Sequence, residues 1–108
     1  VNGYAWTDRQ VIPKDTDILV NATPIGFIDA TQKPDIDYDT LTSNMIVCDV
    51  IPNTTRTLFL AEAEKRKCRI FHGMQMLVNQ GAIAFTIWTG IPAPTEIMFQ
   101  ALQTIYGK

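Results

Sequence analysis

Residues 71–95 contain no Asp, Glu, Lys or Arg. From Met74 or Gln75 to about Thr89 the sequence predicts a long helix, closed by Gly90, which suits the left-handed position after a helix end. On such a helix the apolar groups go all the way round. Leu77, Gly81, Ala84 and Trp88 lie on one side, Val78, Ala82, Phe85 and Thr89 on the next, and Ile83 and Ile87 on a third. A helix of that kind is a buried one. A membrane span needs about 20 mainly apolar residues, and here Gln75, Asn79 and Gln80 interrupt the first half while Pro92 and Pro94 crowd the end. No membrane association is therefore expected. Burying the helix on every side is difficult in a 108-residue chain that also has a sheet to cover. The expectation is that a missing domain or a partner chain covers part of the 74–89 helix, with a homodimer as the alternative. Gly81 costs about 1 kcal/mol relative to Ala in a helix interior. That cost points either to another backbone or a ligand at close approach, or to a tight core contact.

The rest of the chain alternates short apolar runs with helical patterns. Residues 17–22 contain Ile18, Leu19 and Val20 in succession, the pattern of a strand covered on both faces. Residues 45–50 repeat it. Asn53, Thr54 and Thr55 then offer caps for a helix to about Lys67, and residues 68–71 make a third strand. A long loop is expected from Ile25 to Asp39, with a helical turn near residues 38–42 capped by Asp37 or Asp39. The first thirteen residues read as irregular, with a small strand at most. Pro94 suits the first turn of a last helix through Ile97, Leu102 and Ile105. Strands alternating with helices in this way argue for an α/β fold with a parallel sheet.

Charge and cysteine content exclude several functions. The net charge is -2, and the one basic cluster, Lys65 to Lys67, falls at a predicted helix end, where cations suit the dipole. No nucleic-acid partner is expected. Cys48, Cys68 and the single His72 do not make a four-ligand zinc site, and two free thiols suit a reducing, cytoplasmic compartment.

Several segments carry a family resemblance. Asn21-Ala22-Thr23-Pro24-Ile25-Gly26 resembles the N-A-T-x-x-G segment of shikimate dehydrogenases. Asp49-Val50, followed by Thr57 and Leu60, resembles their D-x-x-Y-x-P-x-x-T-x-x-L segment. Residues 73–82, from Gly73 through Met76 and Gln80 to Ala82, resemble their G-x-x-M-L-x-x-Q-G/A-A stretch. In this order and spacing they are similar to the shikimate/quinate dehydrogenase family over nearly the whole chain. The resemblance implies a parallel-sheet, Rossmann-like half-domain with C-terminal helices, residues 1–108 being the C-terminal part of the NAD(P)-binding domain of a two-domain protein. It implies NADP or NAD as cofactor and a small-molecule substrate of the shikimate or quinate class, as in the reduction of 3-dehydroshikimate to shikimate. It places Asn21, Ala22, Thr23, Val50, Gly73 and Met76 beside the cofactor and Gln80 against the substrate.

The same resemblance marks what the chain lacks. The glycine-rich turn that cradles pyrophosphate is absent, and the family's catalytic Lys and Asp belong to the N-terminal domain. No residue here is assigned a catalytic role, and the chain alone is expected to be inactive. Pro52 stands where the family usually has Tyr, and Thr54 where it usually has Pro. Those departures keep two alternatives open: a related NAD(P)-dependent oxidoreductase such as a methylene-tetrahydrofolate-type dehydrogenase, or a non-catalytic, dimerising half-domain.

Overall fold

The computed structural model describes residues 1–106. Its centre is a three-stranded, wholly parallel sheet of β2 (Ile18–Asn21), β4 (Ile46–Asp49) and β5 (Arg69–Phe71), in that spatial order. A second, two-stranded parallel pair joins β1 (Gln10–Val11) to β3 (Ile36–Asp37). Between β3 and β4 a single 3-10 turn, Tyr38–Thr40, is capped by Asp37, whose carboxylate accepts from the Asp39 amide. The expected turn and one of its two candidate caps are both present. The β1–β3 pair was not anticipated: the region around Ile36 reads as loop because a two-residue strand shows no period.

Register puts Leu19, Val47 and Ile70 in one row across the sheet and Val20, Cys48 and Phe71 in the next, on the opposite face. The first face carries the core. Helix α1 (Leu58–Lys65) lays Phe59, Leu60 and Ala63 against it, and Ile12, Ile36, Tyr38, Leu41 and Met45 close the edges. The second face is open at the β2 side, with Ile18 59% and Val20 50% exposed. This corrects the expectation of a strand covered on both faces: the apolar run is there, but the described residues leave its second face half exposed.

Helix α1 begins later than its polar run suggests. Thr57, not Asn53, Thr54 or Thr55, is the cap, its hydroxyl accepting from the Leu60 amide at 3.2 Å. All four residues are competent caps, and the choice falls on the one whose hydroxyl also reaches Asp49. The helix ends at Arg66, and Lys67 takes a left-handed conformation, φ 62°, which turns the chain sharply into β5.

Helix α2 (Gly73–Thr89) starts one residue ahead of expectation and ends on Gly90, φ 70°, whose amide bonds the Thr86 carbonyl. Helix α3 (Thr95–Tyr106) follows Pro94, and the Pro94 carbonyl accepts from the Met98 amide. Gly81 faces α3: a Cβ built there would stand 3.3 Å from Met98 Cε, the end of a flexible side chain. Only one stripe of α2, Gly73, Met74, Val78 and Ala82, is buried, and α3 buries no residue. Ile87 is 74% and Trp88 83% exposed. The radius of gyration is 15.7 Å, against about 13 Å expected for a compact domain of this size. The α2–α3 pair therefore presents apolar faces that the described residues do not cover. Among the described residues no helix is long and apolar enough to cross a membrane.

Candidate functional site

A cleft of about 470 Å³ opens between the second face of the sheet and α2. Val20, Cys48 and Phe71 form its floor, Met76, Gln80 and Ile83 its helical wall, and Asp49, Val50 and His72 its end. The end lies at the carboxyl termini of β4 and β5, where parallel α/β sheets place their ligands. The lining is mainly apolar.

Three of the residues singled out from sequence meet in this cleft: Val50, Met76 and Gln80. Gly73 stands just behind them. A Cβ on Gly73 would lie 2.5 Å from the carbonyl oxygens of both Val50 and Ile51, so α2 begins pressed against the loop after β4 and only glycine fits. The segment from Asn21 to Thr23 does not line the cleft. Asn21 is buried, Thr23 half-buried and Ala22 exposed. It reaches the cleft through Asp49: Asn21 Nδ2 donates to Asp49 Oδ1 at 3.2 Å, and the Asn21 carbonyl accepts from the Val50 amide at 3.2 Å.

Gln80 is exposed on the cleft wall, and its Nε2 donates to the Leu77 carbonyl of its own helix at 3.0 Å. With that wall open, the side chain satisfies itself on the nearest carbonyl.

Among the residues of the site left unassigned from sequence, Asp49 and His72 carry polar chemistry. Asp49 is 3% exposed and accepts from Asn21, from the Ile51 amide at 3.1 Å and from Thr57 Oγ1 at 2.6 Å. Its signal was available, since a carboxylate closing an apolar strand needs partners, and Thr57 eight residues on supplies one. His72 precedes α2, lines the cleft and packs its ring 6.0 Å from that of Phe99. Its Nδ1 is buried without a hydrogen-bond partner, and burial pushes its pKa below the usual histidine range, so the ring is neutral at pH 7. Burial likewise raises the pKa of the Cys48 thiol on the cleft floor, which favours its protonated form. Among the described residues no group of His, Cys, Asp or Glu is placed to hold a metal ion.

Comparison with known proteins fits this geometry. Residues 73–103 match the family described as Shikimate 5'-dehydrogenase C-terminal domain. The shikimate dehydrogenase (NADP(+)) of Microcystis aeruginosa is 38% identical over 102 residues, which is 92% of this chain and 36% of that protein. Among solved structures, the ligand-free 5-ketofructose reductase of Gluconobacter sp. strain CHM43 superposes with a TM-score of 0.91 at 41% identity, covering 94% of this chain and 37% of the other. A shikimate dehydrogenase in complex with NADP+ gives 0.78 at 39% identity, over 85% and 32%. The quinate dehydrogenase of Corynebacterium glutamicum in complex with NAD gives 0.75 at 28%, over 84% and 32%. The chain thus spans about a third of the length of the relatives it matches. A parallel half-sheet, a helix start that admits only glycine and a motif series running from Asn21 to Gln80 make this chain a member of the shikimate/quinate dehydrogenase family, matching part of the length of its full-length members.

Proposed function

We propose that this chain forms the nicotinamide-side wall of an NAD(P)-dependent dehydrogenase that interconverts a polyhydroxylated ketone and its alcohol, 3-dehydroshikimate and shikimate being the first candidates. The carrying observation is the meeting of Val50, Met76 and Gln80 in one apolar cleft at the carboxyl ends of parallel strands. The dinucleotide, when bound, supplies the hydride. Val50 and Met76 would flank its ring and Gly73 would offer a backbone carbonyl to the carboxamide. Asn21, Ala22 and Thr23 would border the cofactor from the end of β2, and Gln80 would turn from the Leu77 carbonyl to a substrate oxygen. The lining suits the ring end of the cofactor. The glycine-rich turn for pyrophosphate has no counterpart in this sequence, so the other end would be held by residues outside it.

Hydride transfer to a ketone also needs an acid near the developing alkoxide. Neither polar group at the end of the cleft serves. Asp49 is buried and held by three donors, and burial holds His72 neutral. The acid would come from an N-terminal domain of the intact protein, the same body that would cover the open faces of α2 and α3, with a second copy of the chain as the alternative cover. On this reading the isolated chain would be inactive. Two free cysteines suit a cytoplasmic setting.

A second reading concerns the substrate. The close superposition on the 5-ketofructose reductase, together with Pro52 in place of the family's usual Tyr, makes a ketose of the 5-ketofructose class the alternative to a cyclic acid. Assay of the intact protein with shikimate, quinate and 5-ketofructose, each with NADP(H) and NAD(H), separates the two. Turnover of one substrate class identifies it; absence of both turnover and dinucleotide binding ends the dehydrogenase reading.

A further inference from the structure

We propose that Asp49 is the positioning residue of the cleft, its buried carboxylate gathering three separate segments and holding the rim in one register. The inference rests on the reading of the cleft as a nicotinamide site. Asp49 Oδ1 accepts from Asn21 Nδ2 at 3.2 Å and from the Ile51 amide at 3.1 Å, and Oδ2 accepts from Thr57 Oγ1 at 2.6 Å. None of these partners is a cation.

Every proton in the network is directed inward. The Leu60 amide donates to Thr57 Oγ1 at 3.2 Å, which leaves the Thr57 hydroxyl to donate to Asp49. On the other side the Ile25 amide donates to Thr23 Oγ1 at 3.3 Å, and the Thr23 hydroxyl and amide donate to Asn21 Oδ1 at 2.7 and 3.1 Å. That occupies the carbonyl end of Asn21 and turns its NH₂ toward Asp49. All the chains end on one carboxylate, the group in the network that has acceptors and no donor. An amide in its place would set an N–H₂ against another donor.

A buried carboxylate without a cation is expensive in stability, and an apolar replacement of such groups is often neutral or better. Its use is therefore sought in placement. Asp49 fixes Val50, whose side chain lines the cleft and whose carbonyl abuts Gly73. Through that contact it sets where α2 begins, and so where Met76 and Gln80 stand. It also ties in the Asn21 to Ile25 loop and the start of α1.

The test uses the intact protein that carries this segment, with Asp49→Asn and a control, Val47→Ala, which opens a cavity in the core face away from the cleft. Amide hydrogen exchange is read at Ile25, Ile51 and Leu60, the three ends of the network. In Asp49→Asn exchange is expected to rise at all three by about tenfold, the worth of one charge-assisted hydrogen bond, while the amides of β4 and β5 stay protected. The dinucleotide KM is expected to rise about tenfold with kcat changed less than about threefold. Val47→Ala is expected to lower the melting temperature without moving KM or loosening the three amides together. A response confined to one segment, no response, or equal KM shifts in both variants overturns the proposal. If the wild type binds neither NAD nor NADP, the nicotinamide reading fails, while concerted loosening still upholds Asp49 as the holder of the rim. If the wild type turns over and Asp49→Asn loosens nothing, the Asp49 proposal falls alone. Should Asp49→Asn fail to fold, Thr57→Val removes one arm: loosening at Ile51 as well as Leu60 supports the network, and a change at Leu60 alone contradicts it.

Discussion

The backbone of Gly73 approaches Val50 so closely that a Cβ on Gly73 would stand 2.5 Å from the Val50 carbonyl oxygen. Two rigid pieces meet there, the loop leaving β4 and the first turn of α2, and neither is a flexible side-chain end that could swing aside. Gly73→Ala in the intact protein is expected to cost at least about 2 kcal/mol, in the range of overpacking that forces backbone shifts. Denaturant unfolding measures it, and a parallel loss of dinucleotide affinity is expected because α2 carries Met76.

Gly81 gives the opposite outcome for the same substitution. An added Cβ meets only the terminal methyl of Met98, at 3.3 Å, and a methionine end moves easily. Relief of the glycine penalty in a helix interior is worth about 1 kcal/mol. Gly81→Ala is therefore expected to be neutral or stabilising, by up to about 1 kcal/mol, in the same unfolding measurement. A loss as large as that of Gly73→Ala would contradict the described α2–α3 contact.

Gln80 is exposed on the cleft wall and holds only a local bond to Leu77. Gln80→Ala is expected to leave stability nearly unchanged. In steady-state kinetics of the intact protein it is expected to raise the substrate KM about tenfold, the worth of one well-placed hydrogen bond, with the cofactor KM unmoved. A changed cofactor KM with the substrate KM intact would reassign the residue.

Acid is expected to destabilise the fold in two windows. His72 has its folded pKa pushed below the ordinary 6.5 by burial. The unfolded chain then takes up the proton first, and stability falls as pH drops below about 6.5. Hydrogen bonds from Lys65 and Arg66 hold Glu62 down to about 2, against an ordinary value of 4.5. Its contribution is present above pH 4.5 and is lost as pH falls toward 2. Glu62 sits near the surface, so that second component is small. Melting temperature against pH for His72→Phe and Glu62→Gln is expected to lose the upper and the lower slope respectively.

The strands and the long helix were legible because they are written in local pattern: the Ile18, Leu19, Val20 run, the charge-free stretch and the terminal Gly90. Other features depend on contacts distant in sequence. Four polar residues ahead of α1 can each cap it, and the bond from Thr57 to Asp49 selects among them. The open face at Ile18 and Val20 depends on what else packs there, which an apolar run does not state. Val50, Met76 and Gln80, singled out by their motifs, line one cleft. Asn21 and Thr23, singled out by the N-A-T-x-x-G segment, lie behind Asp49, a distinction that rests on side-chain direction.

Titration calorimetry of NADP+ and NAD+ into the intact protein, and into a Met76→Trp variant that fills the cleft, bears most directly on the account. The wild type is expected to bind at least one of the two dinucleotides, and the variant to bind it at least about tenfold more weakly, since a filled cleft excludes the ring at a cost above about 1.4 kcal/mol. Equal affinity in the two proteins, or no binding by the wild type, would contradict the placement of the nicotinamide between the sheet and α2.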